Sequence, residues 1–155
     1  AKQKIYLELF YLLESIAPKK YELDKFLPPR YIRILLNIEG DNFADKWDKN
    51  TLDSKLTEAD KSIQIKVSKF SKPKIKSLIN VGLGMAQNKT AEMLKRSEEL
   101  IYAHFEGKVN RLRALQKKNK YISDNEVEKL KEMEKDLIHY LNLCESHLDS
   151  FRLIY

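Results

Sequence analysis

Asn119-Lys120-Tyr121-Ile122-Ser123-Asp124-Asn125-Glu126-Val127 is the stretch on which the fold turns. Ser123 followed three residues later by Glu126 reads as a capping box: the Ser123 hydroxyl accepts from the Glu126 amide while the Glu126 carboxylate reaches back to the Ser123 amide. Ile122 and Val127 stand where a hydrophobic staple requires them. The two signals agree on a helix start at Asp124. Beyond it Val127, Leu130, Met133, Leu137, Leu141, Cys144, Leu148 and Phe151 are spaced 3, 3, 4, 4, 3, 4 and 3. That stripe predicts one helix from Asp124 to Ser150. Before it Leu94, Ile101, Phe105, Leu112 and Leu115, spaced 7, 4, 7 and 3, predict a helix from Thr90 to Lys118. With a turn of only residues 119–123 between them, the arms are antiparallel neighbours, a helical hairpin with coiled-coil-like packing.

Working outward, Pro73 suits a first helical turn, and Ile75, Leu78 and Ile79 follow at helical spacing, so helical structure is expected over 73–155. Gly82 and Gly84 each weaken a helix by about 1 kcal/mol relative to Ala, which marks a kink or a close backbone approach. Residues 46–72 show no sustained period and read as loops or short helices. Residues 1–45 are strand-rich. Lys4 to Ile16 is apolar enough for a buried strand, with a short helix as the competitor and Glu8 interrupting the run Ile5 to Leu13, and Arg30 to Ile38 alternates, with Ile32, Ile34, Leu36 and Ile38 on one side. Leu27-Pro28-Pro29 forces an extended connection between them, and Glu39-Gly40-Asp41-Asn42 supplies a turn. Arg152-Leu153-Ile154-Tyr155 is β-prone and suited to return to the N-terminal strands. The fold class expected is α+β and mostly α: a small antiparallel sheet from the N-terminal segments and a long antiparallel hairpin, within a single domain spanning 1–155.

The chain of 155 residues carries 29 basic and 23 acidic side chains, unevenly placed. Residues 1–60 have a net charge of −1, residues 61–120 of +11 and residues 121–155 of −4. A clustered positive field of this kind speaks to partners, a polyanion or an acidic protein surface, rather than to fold. No apolar run reaches the roughly 20 residues that cross a bilayer, and the start lacks a secretory h-region, so no membrane partner is expected. The single cysteine, Cys144, fits a reducing, cytoplasmic setting.

A search for chemistry returns little. There is no G-x-x-x-x-G-K-[ST] loop, and Gly82-Leu83-Gly84 lacks the third glycine and the preceding strand of a dinucleotide fingerprint. His104, His139 and His147 do not pair at i, i+4, and Cys144 lies on the apolar stripe, so no metal site is expected. Carboxylates on the last helix alternate with lysines as a solvated face. No catalytic residue, small-molecule substrate or cofactor is expected in this segment. The one suggestive cluster is Lys61, Lys66, Lys69, Lys72, Lys74 and Lys76, with no acid among them, which as a site contacts nucleic-acid phosphates and otherwise is a solvated surface or a contact for neighbouring domains.

Tyr11-Leu12-Leu13-Glu14-Ser15-Ile16-Ala17-Pro18-Lys19-Lys20, Phe26-Leu27-Pro28-Pro29 with Ile32-Arg33, Arg111-Leu112-Arg113-Ala114-Leu115, Ile122-Ser123-Asp124-Asn125-Glu126 and Leu148-Asp149-Ser150-Phe151-Arg152-Leu153-Ile154 together resemble the C-terminal domain of the RapA (HepA) family, the RNA-polymerase-associated Swi2/Snf2 ATPases. The resemblance runs over nearly the whole chain in order and is weakest from Lys46 to Lys74. It implies a parent that binds core RNA polymerase, promotes its recycling after transcription, and binds ATP and Mg between two RecA-like lobes outside this segment. What it implies for the segment is a non-catalytic interaction or regulatory role, with core RNA polymerase and the parent's motor lobes as partners. The alternatives are a basic nucleic-acid-binding arm and an autoinhibitory module of the motor.

Overall fold

In the computed structural model, residues 4–58 and 72–155 are described. Among the described residues three strands and three α-helices follow in the order β1 (Tyr6–Leu13), β2 (Arg30–Leu36), α1 (Lys49–Lys55), α2 (Lys72–Lys118), α3 (Asp124–Asn142) and β3 (Ser146–Ile154), with two 3-10 turns, Lys19–Tyr21 and Leu23–Lys25, between β1 and β2. The architecture is α+β, as the sequence indicates. The described residues belong to two compact units: one from Ala1–Leu12, Tyr31–Lys89 and Ser146–Tyr155, the other from Leu13–Arg30 and Thr90–Glu145.

The first unit is built on the sheet, in the order β2-β1-β3. Glu8 meets Arg33 on β2 and Arg152 on β3, and Tyr6 shares a cavity with Leu35 and Ile154, so β1 runs antiparallel to both neighbours. Alternation along β1 sends Leu7, Leu9 and Tyr11 to one face, all buried. The first turns of α2 cover that face, with Leu78 and Ala86 buried and the Tyr11 hydroxyl donating to the Ile79 carbonyl at 3.3 Å. On the opposite face lie Glu8, Arg33 and Leu35, under Trp47 and α1. A central strand covered on both faces explains why Lys4 to Ile16 reads as a near-continuous apolar run. The expected turn forms, with Gly40 at φ 90 and the Asp41 amide donating to Asn37 Oδ1 at 2.8 Å. A side chain at that φ is strained, which selects glycine.

Helix α2 is continuous through Gly82 and Gly84, and the two glycines differ. A methyl group on Gly82 would run into Leu9 Cδ1 and stand 3.2 Å from the Tyr11 hydroxyl, whereas one on Gly84 meets nothing within 4 Å. Close helix-on-sheet packing, not a kink, is therefore what Gly82 supplies. Gly82→Ala is expected to destabilise the protein by about 1–3 kcal/mol through overpacking. Gly84→Ala, where only helix propensity changes, is expected to stabilise it by about 0.5–1 kcal/mol. Thermal melts of the two variants check the opposite signs, and equal effects would refute the packing argument.

The second unit holds the hairpin. Its core joins Ile101 and Phe105 of α2 to Leu137 and Leu141 of α3, with Cys144 just beyond, Leu13 from the end of β1, and Leu23 and Leu27 from the segment between β1 and β2. That segment, of which only Leu27-Pro28-Pro29 was read from sequence, as an extended connection, folds into the two 3-10 turns and lays Leu23 and Leu27 into the hairpin. Its polar groups are also tied down: Ser97 Oγ donates to the Phe26 carbonyl at 2.8 Å, and the Tyr21 hydroxyl to Asp136 at 3.3 Å. The Cys144 thiol donates to the Tyr140 carbonyl, and burial pushes its pKa up, as suits a packing residue. Packing thins toward the turn, where Leu115 and Met133 are 47% and 43% exposed although both lie on the stripes.

Two expectations are corrected. The last helix was expected to run to Ser150 and helical structure to 155, but α3 ends at Asn142 and Ser146–Ile154 is a strand. Leu148 and Phe151 fall on the stripe by spacing alone and are exposed. Ser146, Asp149 and Ser150 are weak helix formers, and the second edge of β1 offers hydrogen-bond partners that extend the foreseen return of residues 152–155 back to Ser146. The capping box is also not formed as expected. Ser123 does occupy the N-cap, but its side chain makes no cap hydrogen bond, and the Glu126 amide donates instead to the Ser123 carbonyl at 3.2 Å. Gln116 does the fastening, its Nε2 donating to Asp124 Oδ1 at 3.2 Å and to the Ile122 carbonyl at 3.4 Å.

Candidate functional site

Of the lysine cluster, Lys61, Lys66 and Lys69 lie outside the described residues. Lys72, Lys74 and Lys76 occupy the first turns of α2 and are exposed, with no acidic residue in that first turn. Cations at a helix N-terminus oppose the macrodipole, which carries its partial positive charge there, so this end presents a reinforced positive field. Lys76 lines an open depression of about 540 Å³ with Pro73, Ser77, Asn80 and Val81.

The best-defined polar constellation lies on the sheet face opposite α2 and was not found from sequence. Glu8 is 0% exposed and is held on both sides: Arg33 Nε donates to its Oε2 at 2.7 Å, and Arg152 Nε to its Oε1. Arg33 Nη1 also donates to the carbonyls of Ala44 at 3.2 Å and Trp47 at 2.7 Å, drawing the loop before α1 onto the sheet. Arg152 Nη2 reaches Asp53 on α1, which Lys49 also meets at 2.7 Å. Hydrogen bonds from Lys49 and then Arg152 hold the Asp53 carboxyl well below the usual range, at about 2. One signal in the sequence could have exposed the network. A lone acid in the middle of an apolar strand must find a partner, because burying an unpaired charge is prohibitive. Which arginines answer it is decided by strand order and register.

Beside this clamp is an apolar cavity of about 340 Å³ between Tyr6, Leu35, Trp47, Leu52 and Ile154, with Lys4 at its margin. Tyr6 packs edge-on against Phe43 with ring centroids 5.8 Å apart, and Lys55 lies over the Trp47 ring at 5.6 Å. These groups can bind an apolar side chain and supply no acid–base pair. Elsewhere, His104 makes edge-on ring contacts with Phe26 and Phe105, and His139 with Tyr140. Among the described residues no group of three or more His, Cys, Asp or Glu is placed to hold a metal ion. Gly82-Leu83-Gly84 is helical, with Gly82 packed on the sheet, and is not a strand-to-helix loop whose amides could cradle a phosphate. Among the described residues no helix is long and apolar enough to cross a membrane.

The same chain, compared with known proteins, is matched from residue 1 to residue 155 by the family described as RNA polymerase recycling family C-terminal. The chain belongs to that family. Among similar members, the RNA polymerase-associated protein RapA of Pasteurella multocida strain Pm70 is 32% identical over 148 residues, covering 96% of this chain and 15% of that protein. The RapA of Haemophilus influenzae strain PittEE is 31% identical over 148 residues, 96% of this chain and 16% of the relative. That of Vibrio campbellii is 29% identical over 150 residues, 97% and 16% respectively. The chain thus spans about one-sixth of the length of these RNA polymerase-associated proteins. The region between Tyr11 and Arg33, part of the sequence on which the resemblance rests, holds the end of β1, the start of β2 and the turns that pack Leu23 and Leu27 into the hairpin core.

Proposed function

We propose that this chain is a non-catalytic interaction and regulatory segment of a cytoplasmic RNA-polymerase-associated Swi2/Snf2 ATPase, through which the parent engages core RNA polymerase and its own motor lobes during recycling. The match of the family over the whole chain carries the reading. The chemistry of the described residues supports it, since the buried charges are consumed in joining β1, β2, β3 and α1. ATP and Mg would be bound by other parts of the parent, where they supply the phosphoryl-transfer chemistry of the motor.

The test removes residues 1–155 from the full-length protein. Retention on core RNA polymerase is expected to fall at least about tenfold, a loss of about 1.4 kcal/mol, while ATP hydrolysis persists. Unchanged retention, or sustained ATP turnover by the isolated chain, would sink the proposal. A rise in ATP hydrolysis after the deletion is the signature of autoinhibition. The second reading, a nucleic-acid arm at the start of α2, is favoured by Lys72, Lys74 and Lys76 standing exposed where the helix dipole is already positive. Exchange of all three for Glu should then weaken DNA and RNA binding and flatten its salt dependence.

A further inference from the structure

The hairpin turn carries an exposed aromatic side chain. Tyr121 is 96% exposed. It is not on a loose loop, because Asn119 Oδ1 accepts from the Tyr121 amide at 3.0 Å and the Asn119 carbonyl accepts from the Ile122 amide at 3.4 Å. An aromatic ring held out into water on a fixed turn forgoes the burial that normally repays its apolar surface. On the α2 side of it the chain is basic: Arg111, Arg113, Lys117, Lys118 and Lys120 are all exposed, and no acid occurs between Glu106 and Asp124, whereas Asp124 and Glu126 open α3 on the other side. At 3.6 residues per turn Arg111, Lys117 and Lys118 fall on the half of the helix opposite Phe105, Leu112 and Gln116, and Arg113 stands on the flank between the two halves. None forms an ion pair with a carboxylate among the described residues. Complementing the dipole at the helix C-terminus accounts for Lys117 and Lys118, but that effect fades within the last turn and leaves Arg111 and Arg113 without a role.

The geometry points to a single-stranded nucleic-acid contact at the hairpin turn, with Tyr121 as a stacking platform for a base and the flanking Arg and Lys side chains on the phosphates. An aromatic ring among cations is the combination that binds single strands, since every base offers a π-face and every linkage a charge. A protein anchor, by contrast, sits at the centre of an apolar surround. The immediate neighbours of Tyr121 are Asn119, Lys120 and Ser123, with Ile122 half-buried. This site is separate from Lys72, Lys74 and Lys76, and it has the arginines and the aromatic ring that those residues lack.

The experiment follows anisotropy of a labelled 20-nucleotide oligouridine on the full chain across salt concentrations. Tyr121→Ala is expected to weaken binding about tenfold with the salt slope unchanged, and Tyr121→Phe to restore it, because stacking needs the ring and not the hydroxyl. Arg111→Gln with Arg113→Gln is expected to lower the slope of log affinity against log salt by about 1.4, at about 0.7 per lost phosphate contact. All these positions are exposed, so melting temperatures should stay at the wild-type value, and the Tyr121→Phe rescue reads the site even if one variant folds poorly. Wild-type chain that fails to bind the oligonucleotide overturns the proposal. So does binding that survives the turn variants but is lost on exchanging Lys72, Lys74 and Lys76 for Glu. If Tyr121→Ala spares oligouridine binding and abolishes retention on core RNA polymerase, the ring is a protein anchor and the proposal is wrong.

Discussion

Glu8→Ala should cost about 3–5 kcal/mol of stability, the range for breaking a buried ion pair by removing one partner. The carboxylate is fully buried, and the Arg33 side chain that it neutralises is 14% exposed. Without Glu8 that guanidinium keeps only carbonyl acceptors, Ala44 and Trp47, inside a low-dielectric layer. Arg152 is better placed to survive, being 39% exposed and still facing Asp53. Denaturant unfolding of the wild type, Glu8→Ala and the double variant Glu8→Leu with Arg33→Met measures the effect. The double variant should be markedly less damaged than Glu8→Ala, because it removes the stranded charge along with its partner. A Glu8→Ala loss below about 1 kcal/mol, the value of an exposed pair, would mean that the clamp does not hold the sheet.

Phe105→Ala should be comparably severe, about 3–5 kcal/mol, for an apolar reason. Phe105 is 2% exposed in the cluster that joins both hairpin arms to Leu13, Leu23 and Leu27. Removing the ring loses its transfer free energy and leaves a cavity that two long helices cannot collapse into freely. Leu115→Ala, on the same stripe and 47% exposed, should change stability by less than about 1 kcal/mol. Matched losses at the two positions would show that the hairpin is packed evenly along its length, against the arrangement described above.

Periodicity carried the large elements. Strands β1 and β2, the start of α2 near Pro73, the turn at 119–123 and the start of α3 at Asp124 were all legible, because each depends on local chemistry: alternation, a proline in a first turn, a preferred N-cap residue. The end of α3 was not legible. Leu148 and Phe151 continue the 3,4 spacing by coincidence, and spacing cannot report that an open strand edge competes for the same backbone groups. The turns at Lys19–Tyr21 and Leu23–Lys25 were hidden for a similar reason, since they are short and stabilised by what they touch. The candidate lysines were legible as charge, yet charge composition says nothing about which side chains the fold sets beside an exposed ring.

Residue order by itself determined that this chain is a helical hairpin attached to a small sheet, that its positive charge is concentrated in its middle third, and that its family is the RNA polymerase recycling C-terminal region. Only the tertiary structure decided that residues 146–154 are a strand, that Glu8 is shared between Arg33 and Arg152, and that Tyr121 stands out into water on the hairpin turn. The division has one physical cause. Helix and strand periodicity, capping and composition act over a few neighbouring residues, whereas Glu8 and Arg152 are brought together across 144 positions by the pairing of β1 with β3. Contacts of that span depend on which strand edge is free and which face is covered, and those are properties of the assembled fold.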